Sequence, residues 1–194
     1  MYRYALSQPV NPVYGSDYIR KVHDYEAITF SKEIPAPGGP DGQTVWRIRS
    51  GPHLRTVRLP DAAVSRIDWR ASVGVAGFSP GRDGHYVHLA QADARLVYAR
   101  EPGDLPPIVE SGNGRISALR RDGNDLKFRF SAYVPPEFRL VHPTQCRVSV
   151  DGRVLKARTD VAFSSPTARS GQQLFRYSPK LKDARSGILV SVDC

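Results

Sequence analysis

The stretch LKFRF, residues 126–130, constrains the fold of this chain more than any total does. Leu126, Phe128 and Phe130 alternate with Lys127 and Arg129. Side chains along a strand point to opposite faces in turn, so three large apolar groups fall on one side and two cations on the other, the mark of a half-buried strand. The same grammar recurs. Trp46 and Ile48 oppose Arg47 and Arg49 in VWRIR, and Val57 and Leu59 oppose Thr56 and Arg58 in TVRL. ARLVYAR, QQLFRYS and GILVSVDC read as further strands. Between them lie hairpin turns: PGRDG inside GVAGFSPGRDGHYVHL, Asp122-Gly123-Asn124, and Asp151-Gly152 inside CRVSVDGRVLKA. The 16 Gly and 16 Pro among 194 residues suit a chain that turns this often. Short strands separated by turn signals every ten residues or so predict a mostly β fold, an antiparallel β-sandwich or jelly roll.

The front of the chain breaks the pattern. Tyr18, Val22 and Tyr25 stand at helical spacing with Ile19 beside them, so one apolar stripe forms on a helix expected over about residues 16–30. Ser16 is its candidate N-cap and Asp17 suits the positive end. IPAPGGPDG, residues 34–42, must stop it. The expected organisation is an N-terminal segment 1–42, a first strand-rich lobe 43–100, a linker 101–113 built around EPGDLPP, and a second lobe 114–194. One continuous sandwich is the alternative. The stripe of Tyr18, Ile19, Val22 and Tyr25 is a candidate interface.

Charge and cysteines narrow the setting. A net charge of +9 favours polyanionic partners, but the arginines are spread along strands, with neither an Arg-rich helix nor an RNP-like aromatic motif. Nucleic acid is therefore not the expected partner. No run of about 18 apolar residues occurs, so no membrane span is expected, and MYRYALSQPVNP lacks the apolar stretch of a secretory signal. Cys146 shares a strand face with Val148 and Val150, and Cys194 with Ile188, Val190 and Val192, so both thiols should point inward. They are a candidate disulfide, two buried free thiols being the alternative.

Chemistry is sparse. His85 and His88, three apart on a strand, face opposite sides and cannot share an ion; His23 lies on the helix, and His53 and His142 adjoin prolines in expected loops. Neither G-x-S-x-G nor a phosphate-cradling glycine spacing occurs. No catalytic residue, metal or cofactor is expected. Flat rings on a sandwich can stack on sugar faces. The candidate carbohydrate-binding residues are Tyr86 and His88, taken to point outward opposite Val87 and Leu89, and Trp69 with Arg70 in an expected loop. Trp46 reads as core or edge packing.

QPVNPVYGSDYIRKVHDY, followed by VWRIRSGPHLRTVRLP and GVAGFSPGRDGHYVHL, resembles the region after the catalytic barrel of bacterial exopolysaccharide-processing proteins of the Pel polysaccharide deacetylase type. The likeness covers about residues 8–90 and rests on pattern and order. It implies a helix that closes an upstream barrel and a β-rich accessory region behind it. That family's Asp base and Asp-His-His metal site have no counterpart here, so no catalytic role carries over. The resemblance implies a noncatalytic, carbohydrate-binding module of an extracellular polysaccharide-modifying protein, periplasmic or extracellular as part of a larger protein and cytoplasmic if it stands alone. Its partners would be polysaccharide, an upstream catalytic domain, or a protein of an export or modification complex. The alternatives are a structural or protein-interaction domain and a basic nucleic-acid binder.

Overall fold

Alternation of apolar and polar residues produces strands along the chain, and more than half of the described residues lie in antiparallel sheet. The computed structural model describes residues 15–33, 44–51, 55–99, 105–156, 158–159, 172–181 and 184–194. Helix α1 (Gly15–Glu26) leads into β1 (Thr29–Glu33), β2 (Thr44–Arg49) and β3 (Thr56–Leu59). A single helical turn, α2 (Asp61–Val64), precedes β4 (Val75–Gly81), β5 (Gly84–Leu89), β6 (Asp93–Tyr98) and β7 (Ile108–Gly112). Then come β8 (Arg115–Asp122), β9 (Asp125–Ser131), β10 (Phe138–Pro143), β11 (Arg147–Val150), β12 (Arg153–Val154), β13 (Arg158–Thr159), β14 (Gln172–Tyr177) and β15 (Ile188–Asp193). The fold is mostly β, sandwich-like, with one N-terminal helix of any length, as the sequence predicts. All three expected hairpins form, and at Asp151-Gly152 both residues have positive φ, 47° and 79°, as a tight two-residue turn requires.

Four sheets result, ordered β1-β2-β6, β3-β5-β4, β13-β14-β10-β7 and β12-β11-β15-β9-β8. The third sits in the middle. Leu140, Val109, Phe175 and Tyr177 join Phe128, Phe130 and Val190 on one side of it, while Val141, Ile108 and Leu174 join Ile48, Val87 and Leu96 on the other. Two cores thus share one sheet, buried on both faces. The expected linker 101–113 is corrected here: Ile108 and Val109 are fully buried in β7 and pair with β10. Pro106 and Pro107 made the run read as a spacer, yet prolines also stand comfortably just before a strand.

Two contacts around β4 help knit the halves. A Cβ at Gly77 would lie 2.2 Å from the Val109 carbonyl oxygen, so only glycine lets β4 approach β7 this closely. Arg121 is the second. A register shift between Ser117 and Arg120, with Ala118 at φ 49°, puts one extra residue into β8 and turns Arg121 inward opposite Leu126. Its guanidinium donates to the carbonyls of Pro107, at 2.5 Å, and Ala76, at 3.0 Å. Burial without a carboxylate partner lowers its pKa to about 10.

The helix ends at Glu26, short of the expected 30, because Thr29–Glu33 is captured as a strand by β2, with Phe30 opposite Ile48. Ser16 lies inside the first turn, not at the cap. Cys146 and Cys194 form a disulfide with Cα atoms 4.3 Å apart. The β11–β15 register, Arg147 opposite Asp193, places the two cysteines face to face one step further along. Cys146 packs against the core as expected, whereas Cys194 at the ladder's end is exposed, which corrects its inward assignment.

Candidate functional site

The inner face of β1-β2-β6 carries Phe30, Trp46, Ile48, Leu96 and Tyr98, brought to one side by strand alternation and by the registers Phe30↔Ile48, Trp46↔Leu96 and Thr44↔Tyr98. Ile48 and Leu96 are buried at its base, while Trp46 and Tyr98 are only partly covered and Phe30 is exposed. Opposite stand Leu59, at the end of β3, Pro60 and Ala63 around α2, and Arg66 just after it. Between these walls opens a cleft of about 620 Å³. Its size and its mix of apolar walls with few polar groups are those of small-molecule sites.

The polar groups carried by the lining residues are the Thr44 hydroxyl, the Trp46 indole N–H, the Tyr98 phenol and the Arg66 guanidinium. Burial raises the Tyr98 pKa above its ordinary value, so the phenol stays protonated and available as a donor. Arg66 is anchored, its Nε donating to the Ala99 carbonyl at 3.4 Å while the Ala99 amide donates to the Arg66 carbonyl at 2.9 Å. Among the described residues the lining includes no carboxylate, histidine or thiol. The arrangement can stack flat ligands and hydrogen-bond them, and holds no group for proton transfer near neutral pH.

The outer face of the same sheet is a ladder of charge. Arg47 donates through Nε to Asp93 at 2.8 Å, and Arg95 donates to both carboxylate oxygens of Glu33 at 3.2 and 2.8 Å. These contacts lower the pKa of Glu33 and Asp93 through the facing guanidinium groups. Of the two arginines of VWRIR, Arg47 is therefore partnered across strands, in an exposed pair of modest worth.

The residues expected to bind carbohydrate do not converge. Trp69 is only 2% exposed, with its ring stacked on Phe78 at 5.2 Å, so the expectation that it faces ligand is corrected. His88 is corrected too. Its Nε2 donates to the Glu110 carbonyl at 2.7 Å, because β5 turns that face toward β7, and burial lowers its pKa. Tyr86 does point outward, lying across Gly81 of its own hairpin, outside the cleft lining. Arg70 is exposed and donates to Asn124 at 2.7 Å. Trp46, read as core or edge packing, packs on the core and also lines the cleft. Trp69 is the more deeply buried of the two tryptophans, and only their position in the layering distinguishes them.

The other expectations sort as follows. Tyr18 and Tyr25 are 65% and 72% exposed, and Ile19 and Val22 are exposed with them, so the helix stripe stands open among the described residues. His85 leans on Phe78 while His88 turns to Glu110, so the pair diverges as strand geometry demands. His142, expected in a loop, lies in β10 at 1% exposure. There it stacks on Phe175 and accepts a bond from the Tyr177 hydroxyl at 2.8 Å. His53 falls outside the described residues. No group of three His, Cys, Asp or Glu side chains among the described residues is placed to hold a metal ion, and no helix among them is long and apolar enough to cross a membrane.

Comparison with family models, with curated proteins and with solved structures returned no match. The functional reading therefore rests on the geometry of the cleft.

Proposed function

We propose that the protein is a noncatalytic, carbohydrate-binding β-module that serves an extracellular polysaccharide-modifying enzyme. The single observation that carries this reading is the open cleft walled by Phe30, Trp46 and Tyr98. Sugar rings present flat C–H faces that pack on aromatic rings, with hydroxyls left over for Thr44, the Tyr98 phenol and Arg66. The Cys146–Cys194 bridge supports an oxidising setting, since such bonds persist mainly outside the reducing cytoplasm. Affinity electrophoresis in gels containing neutral polysaccharides tests it. Retarded migration is expected for the native chain and for Tyr86→Ala, and loss of retardation for Trp46→Ala. A chain that runs unretarded in every neutral polysaccharide would remove the reading.

A second reading, a protein-interaction domain, is favoured by one specific observation: Tyr18, Ile19, Val22 and Tyr25 expose a continuous apolar stripe on α1. Under it, Tyr18→Ser/Tyr25→Ser would weaken assembly with a partner protein and leave saccharide retention unchanged.

A further inference from the structure

A second cleft, of about 890 Å³, opens in the disulfide-bonded half, between the β11–β12 hairpin and the segment leaving β14. Its chemistry is the reverse of the aromatic one. Arg153 and Lys156 line it from the hairpin side, and Arg176 and Lys180 from the β14 side, with Leu155 and Leu181 giving an apolar lining between them. Arg176 donates to Glu137 at 2.6 Å and is thereby neutralised. Among the ion pairs of the described residues, none engages Arg153, Lys156 or Lys180. Three exposed cations thus gather around one concavity from two separate stretches of chain. Like charges brought together repel, and a bound anion relieves the repulsion.

We propose that this cleft binds an acidic polysaccharide, a chain carrying carboxylates on its sugar rings. The cations meet the carboxylates, the apolar lining meets ring C–H faces, and Ser178 and Asp151 offer hydroxyl and carboxylate partners to sugar hydroxyls. Two features set the ligand apart from nucleic acid. The lining includes no aromatic ring among the described residues, whereas single-stranded nucleic acid is held by stacking bases on such rings. Asp151 also stands at the lining, where it would repel an unbroken row of phosphates but tolerate the sparser charge of a polyuronate.

The inference stands apart from the aromatic cleft. Calorimetric titration of the full chain with a defined oligogalacturonate is the test, with dextran of similar length as the neutral arm and an oligodeoxythymidylate of equal charge as the nucleic-acid arm. The oligogalacturonate is expected to bind, more weakly as salt rises because association releases counterions. Arg153→Gln/Lys156→Gln/Lys180→Gln should lose at least tenfold in affinity, and Trp46→Ala should retain all of it. Should the triple variant fold poorly, Lys180→Glu, a single exposed change, should still lose severalfold. No binding of oligogalacturonate beyond that of dextran, equal binding by the variants, or tighter binding of the oligodeoxythymidylate would overturn the proposal.

Discussion

Two groups of aromatic residues, each set by strand alternation, meet opposite fates. Phe128 and Phe130 on β9 and Phe138 on β10 are fully buried where two sheets face each other, with Phe130 and Phe138 ring centroids 5.3 Å apart. Phe30, Trp46 and Tyr98 stand on an equally regular three-stranded sheet, but the wall opposite them is a strand end, one helical turn and Arg66. The first arrangement closes and becomes core. The second leaves a gap, and the same residue types become the wall of an open cleft. What separates core from cleft here is the completeness of the layer across the way.

The largest effect should come from breaking the closed side. Phe138→Ala removes a ring that touches Phe128, Phe130 and Tyr177, and should cost about 3 to 5 kcal/mol in urea or thermal unfolding. Next is the bridge at the end of β11 and β15. Cys146→Ser/Cys194→Ser releases a loop of sequence separation 48 in the unfolded chain, for a loss of about 2 to 4 kcal/mol, reproduced by reductant acting on the native chain. On the open side, Trp46→Ala should cost less, about 1 to 2 kcal/mol, because its ring is only partly buried, while abolishing saccharide retention. A loss as large as that of Phe138→Ala would mean that the cleft is core after all.

The smallest effect is one of pH. Burial lowers the pKa of His142 and His88 below the ordinary 6.5, so the unfolded chain takes up protons there more readily than the folded one. Stability contributed by the neutral rings is complete above about pH 6.5 and is lost as pH falls from there toward the lower folded values. In His142→Gln this acid-limb slope should shrink, as read from the midpoint of urea unfolding between pH 7.5 and 5.

Much of this was legible in the sequence. LKFRF gave its strand and its buried face, and PGRDG, Asp122-Gly123-Asn124 and Asp151-Gly152 gave their hairpins, because alternation and turn chemistry are local. Layering is not local. Trp46 and Trp69 each sit beside arginines, and nothing near either says that Trp69 slides beneath Phe78 while Trp46 looks onto a gap. His142 reads as a loop residue because Pro143 follows it, yet Pro143 ends a strand whose partners are distant in the chain, in β7 and β14. The extra residue at Ala118 decides that Arg121 turns inward, and no sequence period announces it. The basic cleft was equally hidden, since its cations come from two separate stretches of the chain, on the β11–β12 hairpin side and in and after β14.

The middle sheet is packed on both faces along its apolar rows. Because β7, β10 and β14 present Ile108, Val141 and Leu174 to one core and Val109, Leu140 and Phe175 to the other, the described sheets offer no seam at which a protease or a recombination event could divide them into two self-sufficient pieces. A fragment from either end would inherit one greasy flank without its cover. Inheritance and turnover of this molecule should therefore be all or nothing, with both clefts carried together or neither.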